Sequence, residues 1–191
     1  MDLNAATVGA LVRQSLTRPR EAAERLLALS VPDDARWLGF VIVVVLSVLL
    51  GQLSVILMGE GGFGGGLLFM AMFQTSLLLG MVVAVQGVGR ALGGTGGFPD
   101  TLLLVAWLQF VMLVLQIVQI ASLVLVPPLF SLITIASLVL FMWMLTNFIM
   151  ALHGFTSALK VFVGIIFTVF AMAIVLAILL GILGIAPGGG A

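Results

Sequence analysis

From residue 101 to residue 159 the chain carries no charged side chain, and the same is true from 37 to 59. An unpaired charge at the bilayer centre costs at least about 2.5–3.5 kcal/mol, so charge-free stretches of this length mark membrane spans. Composition agrees: of 191 residues, 63% are hydrophobic and 7% charged, with a mean hydropathy of +1.39. Soluble domains carry about 25% charged residues. A body this apolar cannot keep a mostly polar surface in water, so its solvent is the bilayer.

Charges and helix breakers divide the chain. The first span is expected over 38–58, where residues 40–46 are apolar all round. Glu60 and the glycine-rich stretch 61–66 end it, since each glycine costs about 1 kcal/mol relative to alanine inside a helix. A second span follows over 67–88. Residues 90–100 form a polar, glycine-rich connection in which Pro99 starts the next helix and Asp100 sits beside its positive end. The stretch 101–159 far exceeds the roughly 20 residues of one crossing and so crosses twice. Pro127 and Pro128 set the turn, giving spans over 101–126 and 129–152. A connection over 153–157 and Lys160 precede the fifth, 161–183, and the uncharged tail 186–191 is expected to be mobile. The expected fold is an all-α integral membrane protein with a cytoplasmic amphipathic segment (1–36) and a five-helix transmembrane domain (37–185).

Five crossings place the termini on opposite sides. With the N-terminus inside, Arg13, Arg18, Arg20, Arg25, Arg36, Arg90 and Lys160 all fall on the cytoplasmic side and the C-terminus lies outside. Residues 1–36 lack the continuous apolar core and small-residue cleavage pattern of a signal peptide. They read as two short amphipathic helices. Ala5, Val8, Leu11, Val12 and Leu16 share a face of the first. In the second, Pro19 suits the first turn, Ala22, Ala23, Leu26, Leu27 and Leu29 form an apolar arc, and Arg20, Glu21, Glu24 and Arg25 lie opposite. Five arginines are balanced by Asp2, Glu21, Glu24, Asp33 and Asp34, so burial of the apolar face outweighs attraction to anionic lipid. Two readings stand side by side: a tether packed on its own bundle, or a face that docks a partner.

Counting residues removes most chemistry. A net charge of zero gives no field for nucleic acid. One histidine and no cysteine remove the zinc-protease pair and thiolate metal sites. No phosphate loop ends in Lys-Ser or Lys-Thr, and Gly87-Val88-Gly89-Arg90-Ala91-Leu92 lacks the third glycine of a dinucleotide fingerprint. No carboxylate falls inside a span, as an intramembrane aspartyl enzyme requires. The expectation is therefore no enzyme, no catalytic or metal-binding residues and no cofactor. An intramembrane hydrolase built on Ser157 and His153 is the remote exception.

Amides inside the spans carry the remaining signal. Gln109 and Gln116 are seven residues apart on one helical face, with Gln119 a turn further on and about 60° to the side. Gln52, Gln74, Gln86 and Asn147 add others. A buried amide in lipid needs a partner, so hydrogen bonds between helices are the expected role. The alternative is a polar path along Gln109, Gln116, Gln119 and Asn147 for water, an ion or a lipid headgroup. Ala173, Ala177 and Gly181 form a small-residue stripe suited to close packing, within the bundle ahead of a second copy. His153 is expected to cap the negative end of span four as an imidazolium, ahead of serving as a ligand or pH sensor, with Gly154 ending that helix.

Several of these features together resemble a known family. A proline-containing helix, Arg18-Pro19-Arg20-Glu21-Ala22-Ala23, precedes five spans. A glycine-rich loop, Gly93-Gly94-Thr95-Gly96-Gly97-Phe98, leads into Leu102-Leu103-Leu104-Val105-Ala106-Trp107, and His153-Gly154-Phe155 closes span four. Over nearly the whole chain this resembles bacterial members of the Yip family, the Ypt/Rab-interacting membrane proteins. For the eukaryotic members the resemblance implies five spans, a cytoplasmic N-terminus, roles in vesicle traffic and binding of lipidated small GTPases. The chain departs from them in lacking an Asp-Leu-x-Gly-Pro motif and any tyrosine, so the GTPase-binding role is not carried over. The expectation is a non-enzymatic multi-pass protein of a bacterial cytoplasmic membrane. It organises membrane or docks a partner through Arg20, Arg25, Arg90, Asp100 and His153, with membrane lipids, a protein partner or a second copy as associates. The rival is a transporter, channel or lipid-translocating protein using the glutamine face and the glycine loop at 61–66.

Overall fold

The structure is a computed structural model that describes residues 5–59 and 66–182. Among the described residues there are seven helices and no strand: α1 Ala5–Thr17, α2 Pro19–Leu27, α3 Asp33–Leu57, α4 Gly66–Ala91, α5 Phe98–Leu125, α6 Pro127–His153 and α7 Ala158–Ile182. The last five are long and apolar enough to cross a membrane. The protein is thus an all-helical, multi-pass membrane protein. Of the expected breaker at 60–66, Gly66 opens α4, while 60–65 and the tail at 186–191 lie outside the described residues.

Local chemistry sets the helix limits. Pro19 opens α2, where its missing N–H is no loss. Asp33 and Asp34 stand in the first turn of α3, and Asp100 in that of α5, next to the positive helix ends. Pro127 is the first residue of α6, so α5 and α6 are joined through Val126 alone. Gly93 (φ 89°) and Gly154 (φ 72°) adopt the left-handed conformation that follows a helix end. The Gly94 N–H then reaches the Gly89 carbonyl at 2.8 Å, and the Phe155 N–H reaches that of Met150 at 3.0 Å.

The packed core is concentrated at one end. Its buried side chains come from the early turns of α3, α5 and α7 and the late turns of α4 and α6: Phe40 and Val44, Leu102 and Leu108, Val161 and Ile165, Leu78 and Val82, Met144 and Phe148. Antiparallel neighbours bring these turns to the same level, which is also the level of Arg36, Arg90, Asp100 and Lys160; we call it the charged end. α5 lies at the centre, against α3, α4 and α6. α7 packs chiefly on α6.

α5 has 28 residues, about 42 Å of helix against a hydrocarbon thickness of about 30 Å. α1 and α2 pack at the charged end, with α1 on α2 and α2 chiefly on α6. α2 lies against α6 and α5 with Pro19, Ala22, Ala23 and Leu26 buried. On α1, Leu11 and Ser15 are fully covered. The Trp107 indole N–H of α5 donates to Ser15 Oγ at 2.9 Å, and that hydroxyl donates to the Leu11 carbonyl, also at 2.9 Å. Of the two readings of the N-terminal segment, its apolar face belongs to the tether.

Candidate functional site

Three backbone segments meet at the charged end on one side chain. His153, the last residue of α6, is 3% exposed. Its Nε2 lies 3.1 Å from the Val85 carbonyl of α4, and its Nδ1 lies 3.1 Å from the Gly96 N–H in the loop between α4 and α5. A carbonyl only accepts and an amide N–H only donates, so this geometry assigns a neutral imidazole with its proton on Nε2. The Phe155 ring stacks alongside, with centroids 5.5 Å apart.

Glycine makes this seat. A Cβ on Gly89 or Gly94 would overlap the imidazole, and one on Gly96 would come within 2.6 Å of Leu152 Cγ and 2.8 Å of the ring. Gly94 and Gly96 of the polar 90–100 connection therefore join Gly89 of α4 as walls around the imidazole. This corrects the expectation for His153. The ring turns inward and ties α6 to α4 and the following loop, so it neither caps its own helix as a cation nor offers a contact surface. The left-handed Gly154 ends α6 as expected.

A second tie lies beside it. Arg36 of α3, with a side chain only 13% exposed, sits 3.3 Å from Asp100 of α5 and 3.7 Å from Asp33, and its Nε donates to the Val31 carbonyl at 3.0 Å. Asp100 thus joins α3 to α5. The outward side of α2 remains open, with Arg18 paired to Glu21 at 3.5 Å and Arg20 to Glu24 at 3.1 Å along the helix. Arg25 is exposed and donates to Gln14 at 3.4 Å. Arg90 is exposed at the end of α4.

Two of the glutamines are occupied by bonds between spans. Gln109 donates to Ser47 Oγ of α3 at 3.0 Å, and Gln119 donates to Ser137 Oγ of α6 at 2.9 Å. Gln116 lies where α5 passes Gly51 of α3. Gln109 and Gln116 thus face one neighbour and Gln119 another. Asn147 donates to the Trp143 carbonyl of its own helix at 2.8 Å. Ala173, Ala177 and Gly181 are exposed on α7. Among the described residues no three His, Asp or Glu side chains come together as a metal site.

Sequence reasoning did not find the imidazole seat. The available signal was one histidine after an apolar helix, together with glycines at 89, 94 and 96. Five helices long and apolar enough to cross a membrane, with α5 packed against α3, α4 and α6 and an N-terminal helical pair on their charged end, define the class: a small multi-pass helical membrane protein. The family model of the Yip1 domain matches residues 13–179, and the chain belongs to that family. No curated protein and no solved structure gives a match.

Proposed function

We infer that this Yip-family chain is a non-enzymatic component of a bacterial cytoplasmic membrane, with its N-terminus in the cytoplasm, and that it docks a protein partner at its charged end. The observation that carries this reading is the outward side of α2. The apolar arc of that helix is buried against α5 and α6, which holds Arg18, Arg20, Glu21, Glu24 and Arg25 at fixed positions facing away from the bundle. A surface of alternating charges on a rigid support suits recognition of a complementary charged surface, giving selectivity more than raw affinity. The common end of Arg13, Arg18, Arg20, Arg25, Arg36, Arg90 and Lys160 supports the orientation.

The test is gentle purification from the native membrane, with mass measurement of everything that accompanies the chain. A partner in fixed stoichiometry is expected, and it should be lost in the double variant Arg18→Glu and Arg25→Glu. Both positions are exposed, so the yield of folded protein should not change. A partner retained by that variant, or a chain that comes out alone, overturns the reading.

A further inference from the structure

Between α4 and α7, over the flank of α6, lies a groove of about 950 Å³, near the upper end of the range of about 300–1,000 Å³ typical of ligand sites. It exists because α7 leans on α6 and leaves α4 largely uncovered. Its walls are apolar, with Met81 and Val88 from α4, Leu145 from α6, and Ile165 and Met172 from α7. At the charged end the lining changes to Thr156, Ser157 and Lys160. No lining residue is acidic, and the Lys160 ammonium has no ion pair among the described residues.

Length and charge identify the occupant. From Lys160 to Met172 the groove follows twelve residues of α7, about 18 Å of helix, and one leaflet of hydrocarbon is about 15 Å deep. An acyl chain entering at the level of Lys160 therefore runs to the middle of the bilayer along apolar wall throughout. A phosphate at the mouth meets the Lys160 ammonium and two hydroxyls, and a lysine at a span end extends toward the headgroup layer on its flexible stem. We propose that the α4–α6–α7 groove is a binding site for one anionic phospholipid, with its chains against α4, α6 and α7 and its phosphate held by Lys160, Thr156 and Ser157.

The experiment is native mass spectrometry of the full chain in detergent, titrated with phosphatidylglycerol or phosphatidylcholine. One phosphatidylglycerol should bind about fivefold more tightly than phosphatidylcholine, the discrimination that one lysine near a membrane surface supplies. Lys160→Gln should equalise the two lipids and Lys160→Arg should keep the preference. Gly164 lines the groove and has open space where a side chain would start, so Gly164→Phe should reduce the binding of both lipids. Ala84→Leu, on the α4 wall, repeats that test from the other side. Arg13→Gln, exposed on α1 and outside the groove, should leave both affinities unchanged. An unaltered preference in folded Lys160→Gln, unaltered lipid binding in a folded filled-groove variant, or a dimer without lipid would overturn the proposal. If both filled variants fail to fold, the pair of Lys160 variants still decides it.

Discussion

At the charged end α4 and α6, with the loop that leads into α5, close around one imidazole, with Gly89, Gly94 and Gly96 close against the ring. Toward the opposite end the same helices present Leu68, Val124, Leu125, Leu132 and Ile135 with 61–77% of their surface exposed. In water such exposure would drive collapse. In a bilayer, lipid tails are as apolar as leucine, so burying these side chains against each other gains little and helices associate through close packing and polar links. The two ends teach where this molecule is held together: where backbone approaches side chain closely, where carbonyls and N–H groups find a ring nitrogen, and where α1 and α2 cover the surface.

The largest effect expected from that contrast is at the glycines. Gly89→Val or Gly96→Val should abolish the folded, monodisperse protein seen by size-exclusion chromatography, because a Cβ at either position comes within 3.0 Å of the imidazole that ties α6 to α4 and the loop. Gly80→Ala is the control in the middle of the same α4, where a Cβ would meet Met172 Cε at an ordinary 3.6 Å, and it should retain near-normal yield. Equal tolerance at 80 and 89 would break the comparison. Next comes His153→Ala, which leaves a cavity and an unpaired Gly96 N–H. It should cost about 2–4 kcal/mol, read as a lowered midpoint of thermal unfolding in detergent. The smallest effect is expected toward the far end. A double-mutant cycle on Gln119→Leu and Ser137→Ala should give a coupling of about 0.6 kcal/mol, the average for hydrogen bonds between membrane helices. A coupling as large as the loss from His153→Ala would show that the far end is held as firmly as the charged one.

The number of crossings was readable in the sequence because charge is intolerable in hydrocarbon, and the turn at Pro127 because proline is intolerable inside a helix. The serines opposite Gln109 and Gln119 were legible as a need but not as partners: an amide in a span requires an acceptor without naming it. The seat of His153 was not legible for a different reason. Its partners are a carbonyl 68 residues earlier and an N–H 57 residues earlier, and every peptide unit carries such groups. Nor does the apolar arc of α2 state what it covers. The groove is a property of where α7 leans, which hydropathy does not encode.

The single-residue join at Val126 has a consequence for how the protein is made. Two long apolar helices joined by one residue have little slack to enter the bilayer at separate times, so α5 and α6 should integrate as one hairpin. Gln119 and Ser137 flank that hairpin's bend, and each can satisfy the other as soon as the pair is across. The amide then need not wait in hydrocarbon for a more distant helix, and the polar link becomes an early step of biogenesis as well as a contact of the finished bundle.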